Sequence, residues 1–499
     1  MTARKHPLLY QLNTRVYLTE LGKKLGRPAG LDDVPDAELD RLRDQGFRWL
    51  WLLGVWQTGR VGREVSRTNP SLRADYAHAL PDFRDQDIVG SPFAVESYAV
   101  NREYGGDAAL ARLRSRMDKR GLKLLLDFVV NHVAPDHPMV SQHPERFIEG
   151  DESRLANEPH NWGRFPVGRG TKILAYGRDP YFAGWPDTVQ LDYRRAAVRA
   201  AMTEELELIA ERCDGVRCDM AMLVEPDVFR RTWGELPGGL ERYTEEKSFW
   251  PAAIRSIHRR FPEFLFAAEV YWDLEWRLQQ HGFDYTYDKR FYDRLVSGQG
   301  RPVREHLLAT DDYQNHSIRF LENHDEPRAA GTFAWEMHRA AAVICFFVPG
   351  LRFFHEGEFE GRKVHVPMHL SRRPDEPVNP EIEAFYEQLL ACLREDVFHD
   401  GSFHTWQPQQ AWGGNPTHDN FIAFTWYKGG NTITLGVINY GPTQGQCYVP
   451  FACPSRGKVR LRDRLSDVTY ERDGTELSTR GLYLDMPAWG YHLFSIEPS

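Results

Sequence analysis

No stretch of this 499-residue sequence is apolar for long enough to cross a bilayer, which takes about 20 consecutive apolar residues. The first apolar stretch, after Arg4 and Lys5, is broken at once by Gln11, Asn13 and Arg15, so it does not read as a secretory leader. Basic clusters are missing too. With a formal net charge of −9 and no Lys/Arg stripe, nucleic acid and acidic membranes are poor partners. Cysteine is scarce. Cys213, Cys218, Cys345, Cys392, Cys447 and Cys453 are scattered without metal-ligand spacing, three of them in apolar segments, and read as reduced, mostly buried thiols of a cytoplasmic protein.

What is present is length and ordinary apolar content, 41% with 13% aromatic, enough for one large domain and one or two small ones. The chain is organised around Gly215-Val216-Arg217-Cys218-Asp219-Met220, a short strand whose period-2 alternation puts Arg217 and Asp219 on one side. A guanidinium beside a carboxylate favours its ionised form, and a positioned, ionised aspartate is a candidate nucleophile. A structural ion pair at a strand end would read the same way in isolation.

Three other apolar runs end in acid or imidazole. They are Leu124 to His132 with Asp127, Asn131 and His132, Phe264 to Glu269, and Ile318 to Asp325 with Glu322, Asn323 and His324. Each reads as a buried strand with a polar C-terminal end. Four in order, separated by helical patterns, describe parallel strands presenting functional groups at one mouth of an α/β barrel.

Taken in order, strands are expected at Leu8 to Leu12, Phe47 to Val55, Leu122 to Val130, from Gly215, up to Glu269, Phe283 to Tyr287, Ile318 to Asn323 and Leu351 to His355. Helices are expected at Asp36 to Gln45, Asp107 to Arg120, Arg194 to Arg212, between Glu225 and Arg260, from Arg290 to Thr310, Ala329 to Phe347 and Pro380 to Asp396. Gly22 to Pro35 reads as a loop, as does the long turn-rich stretch from Trp56 to Gly106. The expected fold is a (β/α)8 barrel over 1–131 and 193–400, with a small inserted domain at 132–192 after the third strand. Short strands at Phe421 to Tyr427, Thr432 to Asn439, Gln446 to Phe451, Lys458 to Asp463 and Tyr491 to Ile496 make 401–499 an antiparallel β-sandwich capping the barrel.

The four strand ends resemble the four sequence regions of the α-amylase superfamily, glycoside hydrolase family 13, and Trp185 to Asp192 is similar to its fifth region, near the end of the family's domain B. The resemblance implies that Asp219 is the nucleophile, Glu269 the general acid/base, and Asp325 the acid that orients substrate hydroxyls. Arg217 would keep Asp219 ionised, His132 and His324 would hydrogen-bond the sugar, and Asp127 would brace the site. The implied activity is a retaining α-glycosidase acting on α-linked oligosaccharides or glucans. An α-glucan transglycosylase with the same triad is the alternative, and a non-catalytic sugar-binding relative a third reading. The chemistry supports the first reading independently. Burial after a run of Phe, Leu, Phe and two alanines should raise the pKa of Glu269, while Arg217 should lower that of Asp219, and environments that separate two pKa values assign acid and nucleophile.

Two departures from the family pattern stand out. Met222-Leu223 replace a common Lys-His pair on the leaving-group side, which predicts a less polar acceptor side and, together with Pro92 and the long stretch from Trp56 to Gly106 folding over the mouth, a preference for short substrates. Pro92 stands where a stacking tyrosine is frequent, so the platform falls to Phe93, Tyr271 or Trp272, each equally readable as packing. No cofactor is required. The resemblance allows a calcium ion with Asn131 as ligand, although Asp151, Glu152, Asp179 and Asp187 lack calcium-loop spacing.

Overall fold

Eight short apolar runs close into a parallel barrel in the computed structural model, which describes residues 5–235, 242–429, 433–453 and 455–499. They are β1 (Leu8–Asn13), β2 (Trp49–Leu53), β3 (Lys123–Val129), β4 (Gly215–Asp219), β5 (Leu265–Ala268), β6 (Tyr285–Tyr287), β7 (Ser317–Arg319) and β8 (Leu351–His355). Closure is by β1, which pairs in parallel with both β2 and β8. Nearly every strand residue is buried, because the strands face side-chain layers inside and helices outside. Arg4 and Thr432, which the sequence reading touched, lie outside the described residues, as does the middle of the 225–260 segment.

The outer helices fall where an apolar stripe predicts them: Asp36–Asp44, Gly106–Asp118, Ala196–Ala210, Pro226–Trp233, Phe249–Arg260, Lys289–Val296, Gly300–His306, Trp335–Phe347 and Pro380–Leu393. The last starts with Asn379 accepting from the backbone N–H groups of Glu381 and Ile382, ahead of a proline at the first helical position. Two expectations of loop are corrected. Residues Thr14–Leu25 are helical, so the loop expected from Gly22 begins only after a left-handed Gly26. The stretch from Trp56 holds helices Arg60–Thr68 and Pro70–Ala79, and its ends pair as strands Trp56–Thr58 and Val95–Val100.

Between β3 and the helix Ala196–Ala210 lies the insertion, built from the pair His132–Val133 with Val189–Gln190 and a hairpin of Trp162–Val167 with Gly170–Ala175. The C-terminal region has a six-stranded antiparallel sheet packed on a small one. The larger sheet is ordered β9 (Ser402–Trp406), β10 (Phe421–Tyr427), β11 (Ile433–Asn439), β16 (Tyr491–Pro498), β13 (Lys458–Asp463), β14 (Thr469–Asp473); the smaller holds Gln409–Gln410, β12 (Gly445–Val449) and β15 (Leu482–Met486). Along β10 the alternation divides the side chains. Phe421 and Ala423 join the core between the sheets, while Ile422, Phe424 and Trp426 join the core of the barrel. No helix among the described residues is long and apolar enough to cross a membrane.

Candidate active site

The strand register builds the site. β4 pairs with β3 so that Arg217 stands beside Asp127, and with β5 so that Arg217 stands beside Ala267 and Cys218 beside Ala268. One step further along, Asp219 and Glu269 are neighbours on adjacent strand ends. Adjacent strands lie about 4.8 Å apart, so the two carboxyls share one patch of the barrel mouth. The arginine two residues before Asp219 then reaches both. Its Nη1 donates to Asp219 Oδ1 at 2.6 Å, and its Nη2 forms an ion pair with Glu269 Oε2 at 2.7 Å. The guanidinium is buried and lies over the rings of Trp51, Phe93 and Tyr287, 5.1 to 5.7 Å from their centroids.

Glu269 is held at both oxygens. Oε2 accepts from the Met220 backbone N–H at 2.7 Å, which is aimed at it because Met220 adopts a left-handed φ of 41°. Oε1 is 2.8 Å from the Tyr271 hydroxyl. Burial pushes the Glu269 carboxyl up to about 7, against the pull of Arg217 and with help from Asp219 and Asp325. Asp219 departs from expectation. Burial outweighs Arg217 and pushes it up to about 6 rather than down. The order expected for acid and nucleophile survives, because Arg217 hydrogen-bonds Asp219 while Glu269 lacks so well-aligned a donor from it.

Asp325, on the loop after β7, is the most open of the three acids, its side chain 31% exposed. Its own backbone N–H and that of Glu326 donate to Asn323 Oδ1, which fixes the turn. His324 Nε2 lies 3.2 Å from Asp325 Oδ2 and has no hydrogen-bond partner within the protein, while its Nδ1 meets the Gln11 amide at 2.9 Å. Burial pushes His324 and His132 down to about 4, so both are neutral imidazoles near pH 7. His132 packs its ring against Trp185 from the insertion at 5.3 Å.

Asp127 is spent on the protein. It accepts from Trp51 Nε1 at 3.0 Å and the Gly54 N–H at 2.8 Å, and its place is behind Arg217 rather than on the open face. Of the aromatic candidates, Phe93 packs between Arg217 and His324, and Tyr271 contacts Glu269. Trp272 has a left-handed φ of 65° and faces Tyr181 of the insertion edge-on at 5.1 Å. Met222 and Leu223 do not line the mouth. They sit in the 3-10 turn Ala221–Val224, 0% and 3% exposed, within the core. The apolar acceptor side inferred from them is therefore corrected. Gln11, Trp51 and Tyr287 carry no site role in the sequence reading, and Trp185 enters it only as the start of the fifth region. Gln11 had a signal, a polar residue inside an apolar strand.

The polar groups around Asn131 are engaged within the protein. Asn131 Oδ1 accepts from Gln190 Nε2 at 2.9 Å, and the Asn131 carbonyl accepts from Gln190 and Leu191. Asp151 and Asp179 cap turns, Glu152 pairs with Arg164, and no three of the acids of this region gather among the described residues.

Against known proteins, the family model described as "Alpha amylase, catalytic domain" matches residues 93–376. The alpha-amylase MalA of Haloarcula japonica is 26% identical over 364 residues, 71% of this chain and 44% of that protein. An alpha-1,4-glucan:maltose-1-phosphate maltosyltransferase of Burkholderia pseudomallei is 28% identical over 298 residues, 56% of this chain and 22% of that one. The chain thus spans less than half the length of these curated relatives. Among solved structures, a maltogenic alpha-amylase from Thermotoga neapolitana has a similar fold, with a TM-score of 0.69 at 20% identity over 99% of both chains.

Proposed function

The chain belongs to the α-amylase family, and on that premise we propose that it is a retaining α-glycosidase that hydrolyses α-glucosidic bonds in oligosaccharides or glucans. One observation carries the reading: a single buried guanidinium bridges Asp219 and Glu269 on neighbouring strand ends. Carboxyls about 5 Å apart support double displacement, because no water fits between nucleophile and anomeric carbon.

In the proposed reaction Asp219 attacks the anomeric carbon from the face opposite the glycosidic oxygen as Glu269 gives its proton to that departing oxygen. The glycosidic C–O bond breaks and an ester to Asp219 forms. Glu269, now a carboxylate, takes a proton from water, whose oxygen attacks the same carbon and releases Asp219 with the α configuration restored. Oε2 accepts from the Met220 N–H and lies 2.7 Å from Arg217 Nη2, so the proton is assigned to Oε1, which is 2.8 Å from the Tyr271 hydroxyl. Asp325 and the unpartnered His324 Nε2 supply the polar contacts for ring hydroxyls, with His132 as a further donor. These steps use the chain's own carboxyls and require no cofactor. We place the enzyme in the cytoplasm, a location supported by six free cysteines.

Proton NMR of the first product tests the mechanism: the α-anomer should appear before mutarotation, and β-anomer first would overturn the pairing of Asp219 with Glu269. A second reading, glucan transfer, is favoured by the exposed Tyr181, edge-on to Trp272, and the exposed Phe182 that follows it, aromatic faces that suit an acceptor sugar at the rim. Incubation with a maltooligosaccharide separates the two, since transfer yields products longer than the substrate.

A further inference from the structure

Outside the proposed mechanism a group of side chains able to ligate a metal stands unused. Glu225 follows the turn Ala221–Val224 that leads away from Asp219 and precedes the helix Pro226–Trp233. Its side chain is fully buried. Oε1 accepts from the Ser248 hydroxyl at 3.2 Å and lies 3.3 Å from His281 Nδ1, but Oε2 has no hydrogen-bond partner. A buried carboxylate oxygen without a partner is costly. The Arg277 guanidinium pairs instead with Asp227 at 2.7 Å. Ligand atoms of Glu225, Glu245 and His281 lie within 4.8 Å of one another, the one such group among the described residues.

We propose that Glu225, Glu245 and His281 bind one first-row divalent cation, zinc fitting best, that ties together three segments of the barrel's outer wall. A protonated His281 paired with Glu225 would serve Oε1 alone. A cation would engage Oε2, the imidazole and Glu245 together, and two carboxylates with a neutral imidazole balance a dication. Ligands about 2.1 Å from a tetrahedral ion sit about 3.4 Å apart, so closing the group needs a shift of roughly 1 Å. Glu245 is exposed and free to make it. The imidazole favours zinc or its neighbours over calcium, which prefers oxygen ligands throughout. The segments joined are the turn after β4, the stretch leading into Phe249–Arg260, and the end of the helix Glu275–Gln280. The ion is structural, acting on the wall that carries Asp219's loop.

The test uses the full chain, stripped with a chelator and titrated with zinc chloride by calorimetry, alongside thermal melts. One equivalent should bind, and the melting temperature should rise with zinc concentration. Glu225→Gln alters a fully buried group and risks unfolding, so the two more accessible ligands carry the test. His281→Gln and Glu245→Gln should each weaken zinc binding at least about tenfold and abolish the thermal shift, with melting of the metal-free protein little changed. Absence of saturable zinc binding, unaltered affinity in His281→Gln, or tighter binding of calcium than of zinc would each overturn the proposal.

Discussion

Asp219 must be ionised to attack, yet it is buried, and its environment raises rather than lowers its pKa, to about 6. Glu269 must be protonated to act as acid, and burial carries it to about 7. Below the first value the nucleophile is protonated, and above the second the acid has lost its proton. A narrow bell in kcat/KM against pH is therefore expected, with limbs near 6 and 7 that belong to the coupled pair. A substrate with a good leaving group, assayed with Glu269→Gln, should lose the alkaline limb; its persistence would reassign the acid. The same shifts act on stability. Both groups bind protons more tightly folded than unfolded, so their contribution is complete below about pH 4 and is lost as pH rises through 6 to 7. Asp219→Asn should cut turnover by about 10⁴-fold while the fold survives. Its melting temperature relative to the parent should improve from pH 5 to pH 8, because the variant has no aspartate to ionise there. A falling difference would show that Arg217 outweighs burial after all. The acids were legible in the sequence because each ends an apolar run. The sign of the Asp219 shift was not, because two residues of spacing reveal Arg217 but not the loss of water around both.

The loops after the strands set the site, and their legibility followed how they bury their residues. The helix Arg60–Thr68 escaped the sequence reading because its buried positions are Gly62 and Ser66, small residues that leave no apolar stripe. The helix Thr14–Leu25 hides Thr14 and Arg15 beside its leucines, with Arg15 donating to the carbonyls of Gly90 and Met368. Polar burial of this kind depends on partners far along the chain. Met222 and Leu223 failed in the opposite way: their chemistry was plain but the 3-10 turn buries them, and the argument for short substrates is left to Pro92 and the stretch from Trp56 to Gly106. Gly54, at the end of β2, gives an element-scale test. Its φ is +76°, a Cβ there would meet Pro92 Cβ at 2.9 Å, and its N–H holds Asp127. Gly54→Ala should cost about 1–3 kcal/mol in urea unfolding. Gly26→Ala, with φ of +67° but nothing within 4 Å, carries the backbone strain alone and should cost less. Equal losses would mean that the approach of Pro92 imposes no constraint.

Whether the last hundred residues are a module or part of the barrel is decided by what their second face covers. The sequence showed short alternating strands but not that the central strands of the larger sheet are buried on both faces. Ser402–Trp406 and Thr469–Asp473 were missed because none of their residues is fully buried, whereas Leu482–Met486 alternates as a strand should and was passed over. The face turned from the sandwich core presents Ile422, Phe424, Trp426, Ile438 and Leu493 to the barrel. At about 1.5–3 kcal/mol per buried large side chain, these five contribute roughly 10 kcal/mol, comparable to the whole stability of a domain. Polar ties cross the same boundary. Trp426 Nε1 donates to the Phe347 carbonyl and the Tyr440 hydroxyl to that of Leu295, both at 2.6 Å, while Arg304 donates to the carbonyls of Asp419 and Phe421. A chain ending at Asp400 would expose that apolar patch together with unpaired backbone carbonyls. Expression of residues 1–400 should therefore give insoluble protein, and the full chain should unfold in one calorimetric transition rather than two. Trp426→Ala, which removes the largest of these contacts, should lower that transition as a whole instead of splitting it. A soluble, active 1–400 fragment, or a separate early transition assigned to 401–499, would mean that the sheet rests on the barrel without sharing its core.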